Sequence, residues 1–174
     1  VDAPADGLGG GVDHSAAMLA RARRRCRDAG FDRLAFHQAD VLALPFADGV
    51  FDAVYCSMVL HHVSRPLAAL TELARVARPG GAVVLIDFTP HNLTWMRDEL
   101  GHRWLGFSLE EMAAWQDAAG LEPGRIILRR RTAAGGESAA TSAAREQYAW
   151  PEVFLAQAVR RPDSGRATAD HRAP

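Results

Sequence analysis

The sequence predicts an α/β protein built on a doubly wound sheet, and three observations carry that prediction. Short apolar runs bounded by turn residues alternate with segments of helical period. The run Ala82–Phe88 is apolar on both faces, as a strand in the middle of a covered parallel sheet must be. Gly11-Val12-Asp13, Gln38-Ala39-Asp40 and Cys56-Ser57-Met58 stand at the carboxyl ends of the expected strands, where ligands of such sheets sit.

Taken in order, residues 1–11 are rich in Gly, Ala and Asp, lack a hydrophobic period, and read as a flexible lead-in. Ser15 can cap a helix whose apolar positions Met18, Leu19, Ala22 and Cys26 share one face, opposite an arginine run that ends at Gly30. Leu34–Phe36 form a short strand that stops at Gln38-Ala39-Asp40, and Pro45 with Ala47-Asp48-Gly49 marks a turn. Phe51–Cys56 reads as a buried strand. Pro66, a residue favoured at the first helical position, opens a helix with the stripe Leu67, Leu70, Leu73, Ala74 and Ala77, which Pro79-Gly80-Gly81 stops. After the strand Ala82–Phe88 come a helix near residues 91–100 and another over Ser108–Ala119, where Glu111 completes a capping box with Ser108. Gly124–Arg131 and Val153–Val159 read as strands on either side of a loop at 132–147. The segment from 162 to 174 is polar, without period, and reads as a disordered tail.

Composition narrows the function classes. A chain of 174 residues with 48% apolar content suffices for one ordinary domain and is short for two. Its 20 basic and 21 acidic side chains give a net charge of -1, so neither a nucleic-acid footprint nor a polybasic membrane patch is present. Every basic residue is Arg, which removes Schiff-base and phosphate-loop lysine chemistry. The longest mainly apolar stretch, Gly81–Phe88, falls far below the roughly 20 residues that span a bilayer. No signal peptide is visible, and the chain does not begin with Met, which points to a start cut from something longer. Cys26 and Cys56 lie in apolar surroundings without Cys-x-x-Cys spacing, and read as reduced core thiols of a cytoplasmic protein.

Gly11-Val12-Asp13-His14-Ser15 with Met18-Leu19-Ala20, then Gln38-Ala39-Asp40 ahead of Leu44-Pro45-Phe46, Phe51-Asp52-Ala53-Val54, Leu60-His61-His62-Val63, and Leu73 to Gly81 follow one another in an order that resembles the class I S-adenosylmethionine-dependent methyltransferases. The likeness is greatest to the small-molecule branch typified by ubiquinone and menaquinone biosynthesis, and covers roughly residues 11–130. His102 to Phe107 is also similar to the methyltransferase modules that follow arsenic-repressor-type winged-helix regulators. The resemblance implies a Rossmann-like doubly wound sheet over residues 12–161, with S-adenosylmethionine as cofactor and a small molecule as methyl acceptor.

By the same resemblance, Asp13 accepts hydrogen bonds from both ribose hydroxyls and Asp40 from the adenine amino group, with the Val41 N–H facing a ring nitrogen. A carboxylate offers two acceptor oxygens to a vicinal diol, so the chemistry is sensible. Met18 and Leu42 flank the adenine, while Ser57, Met58 and Leu60 border the methionine end. His61 and His62, an adjacent pair able to titrate near neutrality, are candidate bases for the acceptor's proton. The same residues have plainer readings. Asp13 can be a helix cap and Asp40 a turn residue. One His can merely line the cavity while the other bonds a carbonyl. Asp52 reads as structural, Phe46 and Phe51 as core, and His91 and His102 as weaker candidates of the same kind as the pair. Seven histidines without a Glu or Cys partner at ligand spacing give no expected metal site.

One departure stands out. The family's Gly-rich turn precedes the acid matched by Asp13 by a helix and a strand, whereas the run Gly7-Leu8-Gly9-Gly10-Gly11 nearly touches Asp13. The expected fold is therefore incomplete at the N-terminus, with two interior strands facing each other across a gap and cofactor binding weak or lost. An alternative function is a non-catalytic Rossmann-like partner or sensor module. A nicotinamide-dependent oxidoreductase ranks last, because Val12 breaks Gly-x-Gly-x-x-Gly.

Overall fold

The structure is a computed structural model that describes residues 9–31, 33–129 and 151–162. Its first unit is strand β1 (Gly10–Asp13), helix α1 (Ala16–Asp28) and strand β2 (Ala35–Gln38), with the two strands parallel and Asp13 opposite Gln38. Ser15 starts α1 as expected, its hydroxyl accepting from the Met18 N–H at 3.3 Å. The helix closes when the Phe31 N–H donates to the Cys26 carbonyl at 2.8 Å, with Arg25 and Arg27 favourably placed at the negative end of its dipole. Gly10 and Gly11 belong to β1 and not to a lead-in. Their lack of a side chain suits the ladder: a Cβ on Gly10 would sit 2.4 Å from the Ala35 carbonyl oxygen.

The second unit is a four-stranded sheet in the order β3-β4-β6-β5. Strand β3 (Phe51–Ser57), helix α2 (Pro66–Val76) and strand β4 (Ala77–Phe88) form a parallel crossover, and β6 (Val153–Arg160) lies antiparallel between β4 and β5 (Leu121–Arg129). The sheet is thus mixed, not all parallel. Ala82–Phe88 is central, and Val83, Leu85, Asp87 and Phe88 are buried between β3 and β6. Helix α3 (Trp95–Leu100) is short, and α4 (Leu109–Ala118) carries the Ser108–Glu111 capping box. Leu70, Leu73 and Ala74 of α2, Met112 of α4, and Phe154 and Ala156 of β6 share one core. The expected loop at 132–147 and the tail beyond 162 lie outside the described residues. No helix among the described residues is long and apolar enough to cross a membrane.

Among the described residues β1 pairs only with β2, and β3 only with β4, so two strand edges are left facing a common space. That explains why β3 is less buried than its apolar composition predicts: Tyr55 is 72% exposed. The chain between β2 and β3 walls this space and is pinned to α2 by Arg75. The guanidinium donates to both Glu72 carboxylate oxygens at 2.7 Å, to Asp48 at 2.6 Å, and to the carbonyls of Phe46 and Leu44 at 2.8 and 3.1 Å. Glu72 in turn accepts the Leu44 N–H at 2.8 Å, and the Arg75 side chain holds its carboxyl below the usual range. Arg75→Ala is expected to lower stability by about 1.5–3 kcal/mol, because two backbone carbonyls and a half-buried carboxylate lose their donors together. Urea denaturation measures it, and a loss under about 0.5 kcal/mol would show the network to be only a solvated surface cluster.

Candidate active site

The strand ends and the two open edges line one open cavity of about 1290 Å³. Asp13, Met18, Asp40, Val41, Leu42 and Ser57 all line it, as do Met58 and His62. The two carboxylates that the sequence singles out thus line a common rim, one on the last residue of β1 and one just past β2, where the Ala39 N–H donates to the Asp13 carbonyl at 3.2 Å. Both have a local partner as well. Oδ1 of Asp13 accepts the Ser15 N–H at 2.8 Å and Oδ1 of Asp40 accepts the Leu42 N–H at 2.9 Å. Asp40 thus makes the expected local turn, whereas the helix cap is Ser15 and Asp13 holds only the N–H of that capping residue; each carboxylate keeps its Oδ2 for a ligand.

Not every expected contact is in the cavity wall. Leu60 is 1% exposed and packs in the core instead of bordering the cavity, and His61 lies behind the wall. Phe46 and Phe51, expected in the core, are half-buried and line the cavity instead, stacking edge to face at 4.9 Å. Asp52 lies outside the cavity wall and accepts from Arg78 Nε at 2.6 Å in an exposed ion pair. Met58, next to Ser57, adopts a left-handed backbone with φ of 57°, a conformation that costs a non-glycine residue about 1–2 kcal/mol. Such strain at a strand end facing a cavity suits a site residue, and nothing in its sequence signals it.

At the wall and behind it three imidazoles come together, His62 lining the cavity and His61 and His102 buried. A single 3₁₀ turn, Leu60–His62, carries His61 and His62, and the chain after α3 brings His102 beside them. Ring centroids lie 4.2 Å apart for His61–His62 and His61–His102, and 4.9 Å for His62–His102. The two chain segments are laced together: the Arg103 N–H donates to the His61 carbonyl at 2.8 Å, and Trp104 Nε1 donates to the Val63 carbonyl at 2.8 Å.

Hydrogen bonds set the tautomers. His61 Nδ1 is 2.7 Å from Asp87 Oδ1, and His62 Nδ1 is 3.2 Å from the Gly101 carbonyl. Carboxylates and carbonyls only accept, so both Nδ1 atoms carry a proton, and in the neutral ring the lone pair lies on Nε2. His102 is 6% exposed and its Nδ1 has no hydrogen-bond partner, an omission that costs about 1–3 kcal/mol and calls for a physical reason. Burial pushes His62 below the ordinary imidazole value, and pushes His102 down to about 4 with the help of the charges of its neighbours His61, His62 and His91. His91 stands apart from the three. Its Nδ1 accepts the Leu93 N–H at 3.3 Å, and burial lowers its pKa as well.

Sequence spacing could not reveal this cluster, because His102 reaches the pair only through the path of α3 and the turn after it. The two cysteines are free, as expected. Burial first, and the charge of Asp87 second, raise the Cys56 thiol to about 12, while Cys26 on α1 is half-buried with no such environment. Iodoacetamide at pH 8 is expected to place one carboxamidomethyl group on the native protein, at Cys26, and two on the unfolded chain. Mass spectrometry counts them, and rapid native labelling of Cys56 would contradict its burial.

Comparison with known proteins agrees with this geometry. A methyltransferase-domain family model matches residues 10–85. The ubiquinone/menaquinone biosynthesis C-methyltransferase of Bdellovibrio bacteriovorus is 41% identical over 83 residues, covering 48% of this chain and 35% of that protein. The demethylmenaquinone methyltransferase of Beutenbergia cavernae is 47% identical over 77 residues, covering 44% and 30%. The chain spans about a third of the length of these curated relatives. A solved structure of a putative methyltransferase from Bacillus halodurans superposes with a TM-score of 0.72 at 18% identity, covering 88% of this chain and 83% of that one, which speaks for the fold alone. The matched region runs from β1 through most of β4, and Asp13 and Asp40 line the cavity inside it, so over residues 10–85 the chain is similar to methyltransferase domains such as those of the ubiquinone/menaquinone C-methyltransferases.

Proposed function

We propose that the protein transfers the methyl group of S-adenosylmethionine to a small-molecule acceptor. The observation that carries this reading is the pair Asp13 and Asp40 lining one cavity at the carboxyl ends of two adjacent parallel strands. The residues fit the adenosine half of the cofactor. Asp13 would accept from the ribose diol and Asp40 from the adenine amino group, each through the oxygen that its backbone partner leaves over. Met18, 51% exposed in this structure, together with Val41 and Leu42 supplies apolar surface for the faces of a flat base. Ser57 and the strained Met58 would border the sulfonium end. Bound there, the cofactor supplies an electrophilic methyl group and its own leaving group.

The chain's part is then alignment and proton handling. His62 lines the cavity with Nε2 free to take a proton from the acceptor, and the Asp87–His61 pair behind it is a positioning unit. In this division His62 touches the acceptor and His61 does not.

In a version of the chain that carries the upstream strand and Gly-rich turn, Asp40→Ala is expected to weaken S-adenosylhomocysteine binding about 10-fold, near 1.4 kcal/mol, without changing the melting temperature of the free protein by more than about 2 °C. Calorimetric titration measures the affinity. A thermal-shift screen should show stabilisation by S-adenosylmethionine and S-adenosylhomocysteine and none by nicotinamide dinucleotides. Unchanged affinity in the variant removes Asp40 from the site, and stabilisation by the dinucleotides alone overturns the assignment.

A further inference from the structure

We propose that His61, His62 and His102 form a binding site for one divalent first-row transition-metal ion of the zinc class. Each residue offers one ligand atom, and these atoms all lie within 4.8 Å of one another. Metal–nitrogen bonds of about 2.0–2.1 Å require tetrahedral ligand atoms roughly 3.4 Å apart, so each ring has to move inward by less than about 1 Å. The cluster is made only of imidazoles, a donor set suited to zinc, copper, nickel and iron but not to calcium or magnesium.

Three features separate this cluster from a chance gathering of histidines. His61 donates Nδ1–H to the buried carboxylate of Asp87 at 2.7 Å, the arrangement by which proteins orient a ligating imidazole and raise its basicity. His62 makes the equivalent bond to the Gly101 carbonyl, so two of the three rings are fixed with Nε2 as the available lone pair. His102 is more than nine-tenths buried and keeps an unpartnered ring nitrogen beside the two neighbouring rings. A shared cation satisfies all three rings at once.

The position of the cluster suggests what the ion does. His62 and Arg103 line the cavity while His61 and His102 are buried behind it, so three protein ligands close one side and leave a fourth position on the cavity side. Three protein ligands with an exchangeable fourth position make a site that can take an oxygen or sulfur atom of a small molecule. The inference rests on side-chain geometry and stands apart from the methyl-transfer reading. The two meet only at His62, whose Nε2 cannot ligate an ion and accept a proton at the same time.

Equilibrium dialysis of the metal-stripped protein against Zn²⁺, with metal counted by mass spectrometry, is expected to give one equivalent at micromolar or tighter affinity. Co²⁺ in its place should give the visible absorption bands of a tetrahedral nitrogen site. Zn²⁺ should raise the melting temperature. His62→Ala, a change at an exposed position whose fold circular dichroism can verify, should lower the affinity at least 100-fold and abolish the cobalt bands. Asp87→Asn should lower it about 10- to 100-fold. Uptake below 0.2 equivalents by the parent protein, or uptake that His62→Ala leaves unchanged, overturns the site. Because binding of S-adenosylhomocysteine is measured separately, failure of the metal site and failure of the methyltransferase reading give different results.

Discussion

Gly106→Ala is expected to destabilise the protein by roughly 2–5 kcal/mol, a large share of an ordinary domain's stability. Two penalties add. Gly106 has φ of +86°, where an L side chain costs about 1–2 kcal/mol. A Cβ there would also sit 2.1 Å from the carbonyl oxygen of Thr89 and 2.9 Å from the nitrogen of Pro90, both backbone atoms that cannot rotate aside. Relief by shifting the chain is blocked on both sides of the glycine. The Phe107 N–H donates to the Phe88 carbonyl at 2.9 Å, and the Leu105 carbonyl accepts the His91 N–H at 3.0 Å. Over-packing against such a clasp costs about 1–3 kcal/mol more. The urea midpoint should fall with little change in slope, and a loss below about 1 kcal/mol would mean that the 88–91 and 105–107 segments separate easily. As the clasp lies just beyond His102, the same variant should loosen the imidazole cluster.

The sequence shows the parts of this molecule that are written locally. The Ser15 cap, the Ser108–Glu111 box and the doubly apolar Ala82–Phe88 each depend on residues within a turn or two, and all are found where expected. Asp13 and Asp40 share a rim because they follow consecutive strands of one parallel pair, which the alternation of elements implies. Features that depend on remote partners stayed hidden. Strand β4 begins at Ala77, through Pro79-Gly80-Gly81, because Phe51 pairs with Ala77 and an irregularity before Ala53 absorbs the turn-forming residues. The antiparallel return of β6 beside β4 is set by chain direction, which a run of apolar residues does not encode. The exposure of Tyr55 follows from the open edge of β3, a property of what its neighbours are and not of its own composition. The expectation of two strand edges facing a gap, by contrast, was available from the order of motifs alone, and the cavity lies between those edges.

Removing the Asp87 carboxylate is expected to have the second large effect. Asp87 is fully buried, and its oxygens accept from His61 Nδ1 at 2.7 Å, the Phe88 N–H at 2.8 Å and, more weakly, the His61 N–H at 3.4 Å. In Asp87→Ala these donors stay in a dry core without acceptors, each well-bonded one costing about 1–3 kcal/mol, so a loss of about 3–5 kcal/mol is expected. Asp87→Asn retains one carbonyl oxygen for His61 Nδ1 and Phe88 N–H but turns an amide donor toward the His61 N–H, and should lose about half as much. The ratio between the variants separates a need for an acceptor from a need for negative charge. A second readout tests the link to the cavity. The charge of Asp87 works against burial at His62 and His102, favouring their protonated forms. Without it both imidazoles should titrate at still lower pH, visible as a downward shift of their proton NMR titration curves in Asp87→Asn. The Cys56 thiol should move the same way, since Asp87 helps to raise it, yet only slightly, because burial is the larger cause. Stability loss with the histidine titrations unmoved would make Asp87 a structural acceptor alone; movement of both places the carboxylate in electrical contact with the cavity wall.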